Sequence, residues 1–418
     1  MCMSTLTSHT EYLDSLNNVE KKKFSQKIKI IRHLYVKGAR TNADICSRFN
    51  ISSPTSMGLL GELMAEGLVE KQGLGKSVGG RKPDLYGLRN NSLFVLSIDM
   101  NRFSTRMAIM DNNNNQITPI RTYSYTLPED LTGLDTFCGW VQDLIETSGI
   151  DKEKLVGIGV SMPGLVASKE GDSRTYLRTD VLDESLQEVL SRKLGKPVFI
   201  QNDVKSAALA ELRFGQAKGR QDVLVISIDW GVGTGVIMDG NLRGGAAGFA
   251  GEFGHIPLVE DGTLCHCGKR GCLETLASGI AMVRAAREGI KSGQKSLLSK
   301  LSAEELEQLE PKQIIQAAQQ GDQFAINLLS ETGVNLGKGI AILIQLFNPE
   351  LVILGGNMAE AGQLITTPIQ QSINTYCMAQ LRESTNIALS ALGPQANMMG
   401  ATATVLENIL EKQLEQAR

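Results

Sequence analysis

The stretch Gly251-Glu-Phe-Gly-His255, with Cys265-His-Cys267-Gly-Lys-Arg-Gly-Cys272-Leu-Glu274 ten residues on, decides how the rest of the chain is read. His255, Cys265, Cys267 and Cys272 follow the spacing H-x9-C-x-C-x4-C. One imidazole and three thiolates complete a tetrahedral zinc shell, the closed kind that stabilises a fold and leaves no position for water. Gly268 and Gly271 let the loop curl until its sulfurs converge. His266 is a competing ligand, but its two neighbours, Cys265 and Cys267, already turn toward the ion. The seven cysteines are an odd number, and no export signal precedes them. Both facts argue against a disulfide framework and for a metal site.

Upstream, Val198-Phe-Ile-Gln-Asn202-Asp203-Val-Lys-Ser-Ala-Ala-Leu-Ala-Glu211 reads as a strand ending in polar residues, then a helix. Asn202 and Asp203 thus stand at the carboxyl end of a strand, where α/β sheets place ligand groups. Taken alone, the pair serves a helix N-cap equally well. Strand-like runs at Leu93–Ile98, Thr105–Met110, Leu155–Ser161, Val198–Ile200, Val223–Ile228 and Leu351–Leu354 alternate with helical stretches such as Leu134–Thr147 and Leu186–Leu194. That order predicts a mixed twisted sheet with helices on its faces. Composition agrees: 42% hydrophobic, 21% charged and only 5% aromatic residues, with 43 Gly, suit an α/β protein and exclude a disordered or collagen-like chain. The longest apolar stretch, near Ile340–Phe347, is interrupted by Gln345 and is too short to span a bilayer. A soluble cytoplasmic protein is expected.

The first 90 residues differ from the rest. They hold 14 Lys/Arg against 8 Asp/Glu, whereas the whole chain carries a net −3. A basic segment ahead of an acidic body points to a nucleic-acid-binding arm. From Lys21, apolar residues Phe24, Ile28, Ile31, Leu34 and Tyr35 recur at helical spacing and stop at Gly38. Thr41 opens a short helix; Ser52 or Ser53 caps a third, with Pro54 in its first turn. A Gly-rich basic hairpin, ending in Gly80-Arg81-Lys82-Pro83, follows. Three short helices and a basic hairpin make a winged helix-turn-helix. Ser53, Thr55 and Ser56 are its candidate base readers. Arg81 and Lys82 are placed to enter an A·T-rich minor groove. Phosphate affinity falls to Lys21–Lys23, Arg48, Lys71 and Lys76.

Gly-Glu-x-Gly-His, the cysteine spacing and Gly-Cys-Leu-Glu together resemble the ROK family of bacterial repressors, uncharacterised frames and sugar kinases. The resemblance covers the chain from about residue 20. It implies an α/β fold in which the winged helix precedes a two-lobed actin-like ATPase (sugar kinase-like) body. The expected parts are a DNA-binding domain at 1–90, a first lobe at 91–201 with a returning C-terminal helix at about 394–418, and a second lobe at 202–393. The resemblance also implies zinc, a homodimer or homotetramer, operator DNA as partner and no membrane. In the family's kinases the residue matching Asn202 binds sugar hydroxyls, and the one matching Asp203 is the general base. Glu252, His255 and Glu274 match the remaining sugar contacts. His255 then serves twice, one ring nitrogen on zinc and the other on the sugar. Lys205 departs from the family's small or amide residue, and a cation there favours an anionic effector such as a sugar phosphate.

ATPases of this fold hold phosphate with two Gly-rich hairpins. The first, expected as D-x-G-x-T, reads Asp99-Met-Asn101-Arg-Phe103; Asn101 replaces glycine as a residue able to take the left-handed backbone. The second, expected near G-T-G-x-G, reads Asp229-Trp230-Gly231-Val-Gly233-Thr234-Gly235. Phe103 removes a hydroxyl, and Asp229 sets a charge against a triphosphate, a repulsion of roughly 4 kcal/mol at 4 Å and an effective dielectric of 20. These residues predict a sugar-responsive repressor of carbohydrate genes that is not an enzyme. The rivals are an active sugar kinase bearing a DNA-binding arm and a zinc-dependent interaction module.

Overall fold

The computed structural model describes residues 16–76, 82–180 and 182–417. The chain divides into two compact units: residues 1–203 with 398–418, and residues 204–397.

The first unit begins with a helix at Asn18–Lys37, three residues earlier than the apolar periodicity marks. Asn17 and Glu20 form a reciprocal capping box there, and Gly38 at φ +74° ends the helix. Thr41 caps Asn42–Phe49. Ser52, not Ser53, caps Ser53–Ala65. A three-stranded sheet, in the order Arg40–Thr41, Asp84–Leu88, Val69–Leu74, completes a winged helix. Arg81 and the rest of 77–81 lie outside the described residues.

The same unit holds a five-stranded sheet in the order Val198–Asn202, Leu155–Met162, Phe94–Met100, Ser104–Asp111, Arg121–Ser124. The first three strands are parallel and the last two antiparallel additions. Leu96, Ile98, Met107 and Ile109 on one face pack on the helices Leu134–Thr147 and Leu186–Leu194. The opposite face takes the helix Ala396–Gln416 so closely that backbone meets backbone. A Cβ on Gly159 would lie 2.3 Å from the Ala401 carbonyl oxygen, and one on Gly157 would lie 2.9 Å from Val405 Cγ1. Val405, Leu406, Ile409 and Leu410 of that helix share one apolar cluster with Ile28, Ile31 and Leu34 of the first helix.

The second unit has a sheet in the order Asn241–Leu242, Val232–Met238, Val223–Ile228, Leu351–Gly355, Asn386–Leu389. Its longest helix, Gln323–Phe347, crosses Gln363–Tyr376 at Gly333 and Gly337. Their missing side chains leave room for Pro368 and Ser372. No helix among the described residues is long and apolar enough to cross a membrane.

The helix-on-sheet contact at Gly159 predicts a sharp stability effect. Gly159→Ala forces the Ala401 carbonyl away and is expected to cost about 1–3 kcal/mol, as overpacking does. Gly139 lies inside Leu134–Thr147 with nothing within 4 Å of an added Cβ. Gly139→Ala is therefore expected to gain about 0.5–1 kcal/mol. Urea midpoints of the two variants move in opposite directions if the packing is as described.

Candidate functional site

Two short pieces of chain build the centre. Phe253–His255 forms one turn of 3-10 helix, and residues 257–272 fold back as a tight loop closed by paired residues Pro257–Cys272 and Leu264–Arg270. Gly271 stands at φ +67°, and a Cβ there would lie 1.8 Å from the Val259 carbonyl oxygen, so no other residue fits. Gly268, at φ +88°, turns the chain between Cys267 and Cys272, and its amide donates to the Cys265 carbonyl at 3.0 Å. The outcome is convergence. His255 Nδ1 lies 3.5 Å from Cys265 Sγ, the sulfurs of Cys267 and Cys272 are 3.7 Å apart, and all four ligand atoms fall within 4.8 Å of one another.

Burial pushes the Cys272 thiol up to about 12, with its sulfur neighbours adding to the shift, and burial raises Cys265 as well. Thiols crowded in this way ionise together only around a cation, and a coordinating zinc removes the proton outright. The donor set therefore fits zinc. A second convergence joins His255, His266 and Glu274. His266 is exposed, with Nδ1 3.3 Å from Glu274 Oε1 and 3.9 Å from Cys265 Sγ. His255 belongs to both groups.

The spacing of Gly251-Glu-Phe-Gly-His255 has a steric cause. Its backbone lies against the strand Val232–Met238: a Cβ on Gly251 would sit 2.0 Å from the Thr234 carbonyl oxygen, and one on Gly254 2.2 Å from that of Val232. The Thr234 amide donates to the Gly251 carbonyl at 3.3 Å. Glu252 and His255 are fixed by that contact. Glu274 opens the helix Glu274–Ala277 and accepts from the Val232 amide at 3.2 Å. Burial works to raise Glu274, but the His266 ring and the Val232 amide outweigh it and hold the carboxyl below its ordinary range. Glu252 goes the other way. Burial raises it, the charge of Glu274 adds to the rise, and Lys205 opposes. Two neighbouring carboxyls shifted in opposite directions offer an acceptor and a more readily protonated partner. Lys205 is itself buried, and its ammonium donates to the Gly248 carbonyl.

Asn202 and Asp203 belong to the first unit. Asn202 ends its strand, and its side-chain amide donates to the Gly164 carbonyl at 3.0 Å. Asp203 is the first residue of the helix Asp203–Phe214.

Neither phosphate hairpin follows the glycine pattern. In the first, the Asn101 amide donates to the Ser104 carbonyl at 2.8 Å. Asn101 does not use the left-handed backbone open to it, and the chain bends at Arg102 and Phe103. Arg102 lies 5.3 Å from the centre of the exposed Phe103 ring. In the second, Asp229 Oδ1 accepts from the Asn357 amide at 2.8 Å and Oδ2 from Ser227 Oγ at 3.2 Å. Trp230 packs against the core of its unit.

On the winged helix, Ser53 and Thr55 are exposed at the start of Ser53–Ala65. Ser56 is not: it is fully buried beside Leu59 and Leu60, so its expected role as a base reader is corrected. The periodicity contained the signal, because 56, 59/60 and 63 share one helical face. Residues that sequence reasoning passed over are Gly58 and Gly61, exposed with nothing within 4 Å of an added Cβ, and the exposed Met57. Lys82 is exposed. Lys23 pairs with Glu62, and Lys71 with Asp84 at 2.7 Å, so these two of the expected phosphate contacts are already engaged.

The ROK family profile matches residues 95–408. A xylose repressor of Caldicellulosiruptor bescii is 30% identical over 86% of this chain and 90% of its own length. Among solved structures, a ROK family transcriptional regulator, a homolog of the E. coli MLC protein, aligns with a TM-score of 0.78 at 25% identity. That match covers 96% of this chain and 99% of the regulator. A ROK family glucokinase from Streptomyces griseus, in complex with glucose and AMPPNP, aligns at 0.65 and 31% identity over 74% of this chain and 98% of its own. The chain belongs to the ROK family.

Proposed function

We propose that this protein is a sugar-responsive transcriptional repressor. Residues 1–90 hold operator DNA, and Asn202, Asp203, Glu252, His255 and Glu274 bind a monosaccharide or sugar phosphate. Zinc on His255, Cys265, Cys267 and Cys272 keeps His255 in the tautomer and orientation that a sugar hydroxyl meets. The observation that carries the reading is coverage. The matches to the xylose repressor and to the transcriptional regulator cover 86% and 96% of this chain, more than the residues after 90 could supply, whereas the glucokinase match covers 74%. In this reading the protein works as a homodimer or homotetramer. Sugar binds one of its conformations better and shifts the population toward it, and half-site spacing on the operator is lost.

The kinase reading has support of its own in Asp203, which matches the general-base position, and in the similarity to a glucokinase. Against it stand the two hairpins. Phe103 and Trp230 are bulky where glycine-rich turns admit phosphate, and Asp229 already draws on the Asn357 amide and the Ser227 hydroxyl. A single preparation separates the readings. Aldoses, N-acetylhexosamines and their 6-phosphates are screened for a rise in melting temperature, and the stabilising sugar is then mixed with ATP in a coupled ADP assay. The expected result is stabilisation without ADP release; sugar-dependent ADP release above background would establish the kinase instead.

Zinc gives a second expectation. Cys265→Ser, or removal of the metal with a strong chelator, lowers the melting temperature by several degrees and abolishes the sugar-induced shift, because loop and pocket share His255. A metal assay checks that the wild type holds one zinc per chain. A chelated protein that still responds fully to sugar separates metal from pocket.

In the DNA-binding arm, Arg81→Ala is expected to weaken operator binding more than Lys76→Ala. A minor-groove arginine gains from enhanced negative potential, whereas a phosphate contact adds one unit to the salt slope. Salt-dependent affinity measurements decide it; equal effects remove the minor-groove contact.

A further inference from the structure

Two histidines stand side by side at the candidate site, and the sulfur cluster claims only one of them. The cluster's own distances set a scale. Zinc–sulfur bonds of about 2.3 Å and zinc–nitrogen bonds of about 2.0–2.1 Å place two sulfurs of a tetrahedral shell about 3.8 Å apart, and a sulfur and a nitrogen about 3.6 Å apart. The sulfurs of Cys267 and Cys272 at 3.7 Å, and Cys265 Sγ with His255 Nδ1 at 3.5 Å, keep those edges. By the same construction a nitrogen and a carboxylate oxygen on one ion lie about 3.4 Å apart. His266 Nδ1 is 3.3 Å from Glu274 Oε1. A charge-assisted hydrogen bond from nitrogen to carboxylate closes to about 2.7–2.9 Å. The separation is therefore long for that bond and right for two ligands sharing an ion. His255 completes the group. One ligand atom each of His255, His266 and Glu274 lies within 4.8 Å of the others, and the two imidazoles meet edge to face with centres 4.9 Å apart.

Position favours an ion as well. The Val232 amide holds Glu274 Oε2 at 3.2 Å, so the carboxylate is fixed with Oε1 toward His266. The Glu274 side chain is 14% exposed and that of His266 69%, so an ion from solvent meets the imidazole first and the carboxylate behind it. We propose that His255, His266 and Glu274 form a second transition-metal site beside the sulfur cluster, with His255 between the two. An imidazole has two ring nitrogens. Nδ1 of His255 faces Cys265, and Nε2 serves the second ion after giving its proton to water. Two imidazoles and one carboxylate leave a coordination position for water, the open kind of site, whereas the sulfur cluster is closed. Nitrogen donors select zinc, nickel or cobalt over magnesium and calcium. The site goes beyond the regulatory reading and stands without it. One consequence does rest on that reading: ion and sugar draw on the same groups and exclude each other.

The test uses the full chain and Ni2+ as probe, with no sugar present, so it succeeds or fails independently of the effector. Protein carrying one zinc per chain, loaded beforehand where needed, is dialysed against micromolar Ni2+, and both metals are counted. The wild type is expected to keep its zinc and take up one Ni2+, without the near-ultraviolet absorption of nickel bound to thiolate. His266→Ala and Glu274→Gln keep zinc and bind Ni2+ at least about tenfold more weakly, since loss even of a group that only supports a metal ligand costs that much. His33→Gln, a control on the first helix, binds as the wild type does. A wild type that takes no Ni2+, that exchanges zinc for it, or that shows thiolate-to-nickel absorption overturns the proposal. So does a His266→Ala protein that binds Ni2+ undiminished, or a His33→Gln protein that loses it. Should Glu274→Gln fail to fold, His266→Ala decides alone, because the side chain it removes lies mostly in solvent.

Discussion

Backbone lying on backbone is the constraint from which the site follows. Gly251 and Gly254 press Gly251-Glu-Phe-Gly-His255 against the carbonyls of Thr234 and Val232, and Gly271 presses the cysteine loop against that of Val259. None of these contacts admits a side chain. Because they are closed, Glu252, His255 and Glu274 have little freedom, and the sulfurs of Cys265, Cys267 and Cys272 reach His255 without a long loop. A metal held there would meet a frame that sterics have already narrowed, and His255 belongs both to the sulfur cluster and to the group with His266 and Glu274. The glycines also tie the site to the sheet: a methyl group at position 254, next to His255, would press on the Val232 carbonyl of the strand whose amide Glu274 accepts from.

Much of this was readable from residue order alone, and the failures have physical reasons. The metal ligands could be read because three of them lie within eight residues, so spacing and geometry coincide. Buried strands such as Leu155–Met162 and Leu351–Gly355 announce themselves as apolar runs. Val232–Met238 does not, because two of its seven residues are glycines kept small by Val204 and Ala208. Arg121–Ser124 and Asn386–Leu389 are edge strands of mixed exposure, and a four-residue edge carries almost no periodic signal. Ser56 was misjudged by treating the start of a recognition helix as wholly exposed, when its spacing to Leu60 and Leu63 already placed it on the packed face. Asn17 and Glu20 form a capping box that three-residue spacing advertised and apolar periodicity overlooked.

Net charge proved a coarser guide than charge pairing. The excess of cations in residues 1–90 is real, but not all its cations face outward unengaged: Lys23 and Lys27 pair with Glu62, and Lys27 also with Glu66, which binds the first helix to the third. These pairs orient Ser53–Ala65 more than they attract a polyanion. Arg48, Lys76 and Lys82 stay exposed, and so do Gly58 and Gly61 on the third helix, where nothing lies within 4 Å of an added Cβ.

Charge is also satisfied internally at both hairpins. A phosphate seat works by presenting unfilled donors to an incoming anion. At the second hairpin the donors are present, but Asp229 takes them, one oxygen on the Asn357 amide and the other on the Ser227 hydroxyl. At the first hairpin the Asp99 carboxylate accepts from the Arg106 guanidinium. In each unit, considered separately, a hairpin carboxylate meets a neighbouring group of the chain. The carboxylates beside the zinc centre follow the opposite course: Glu252, raised by burial, and Glu274, lowered by its donors, stay differently tuned at close quarters. Stability alone gives no reason to set two half-buried carboxyls together, so their pairing is the strongest physical argument for a ligand at this place.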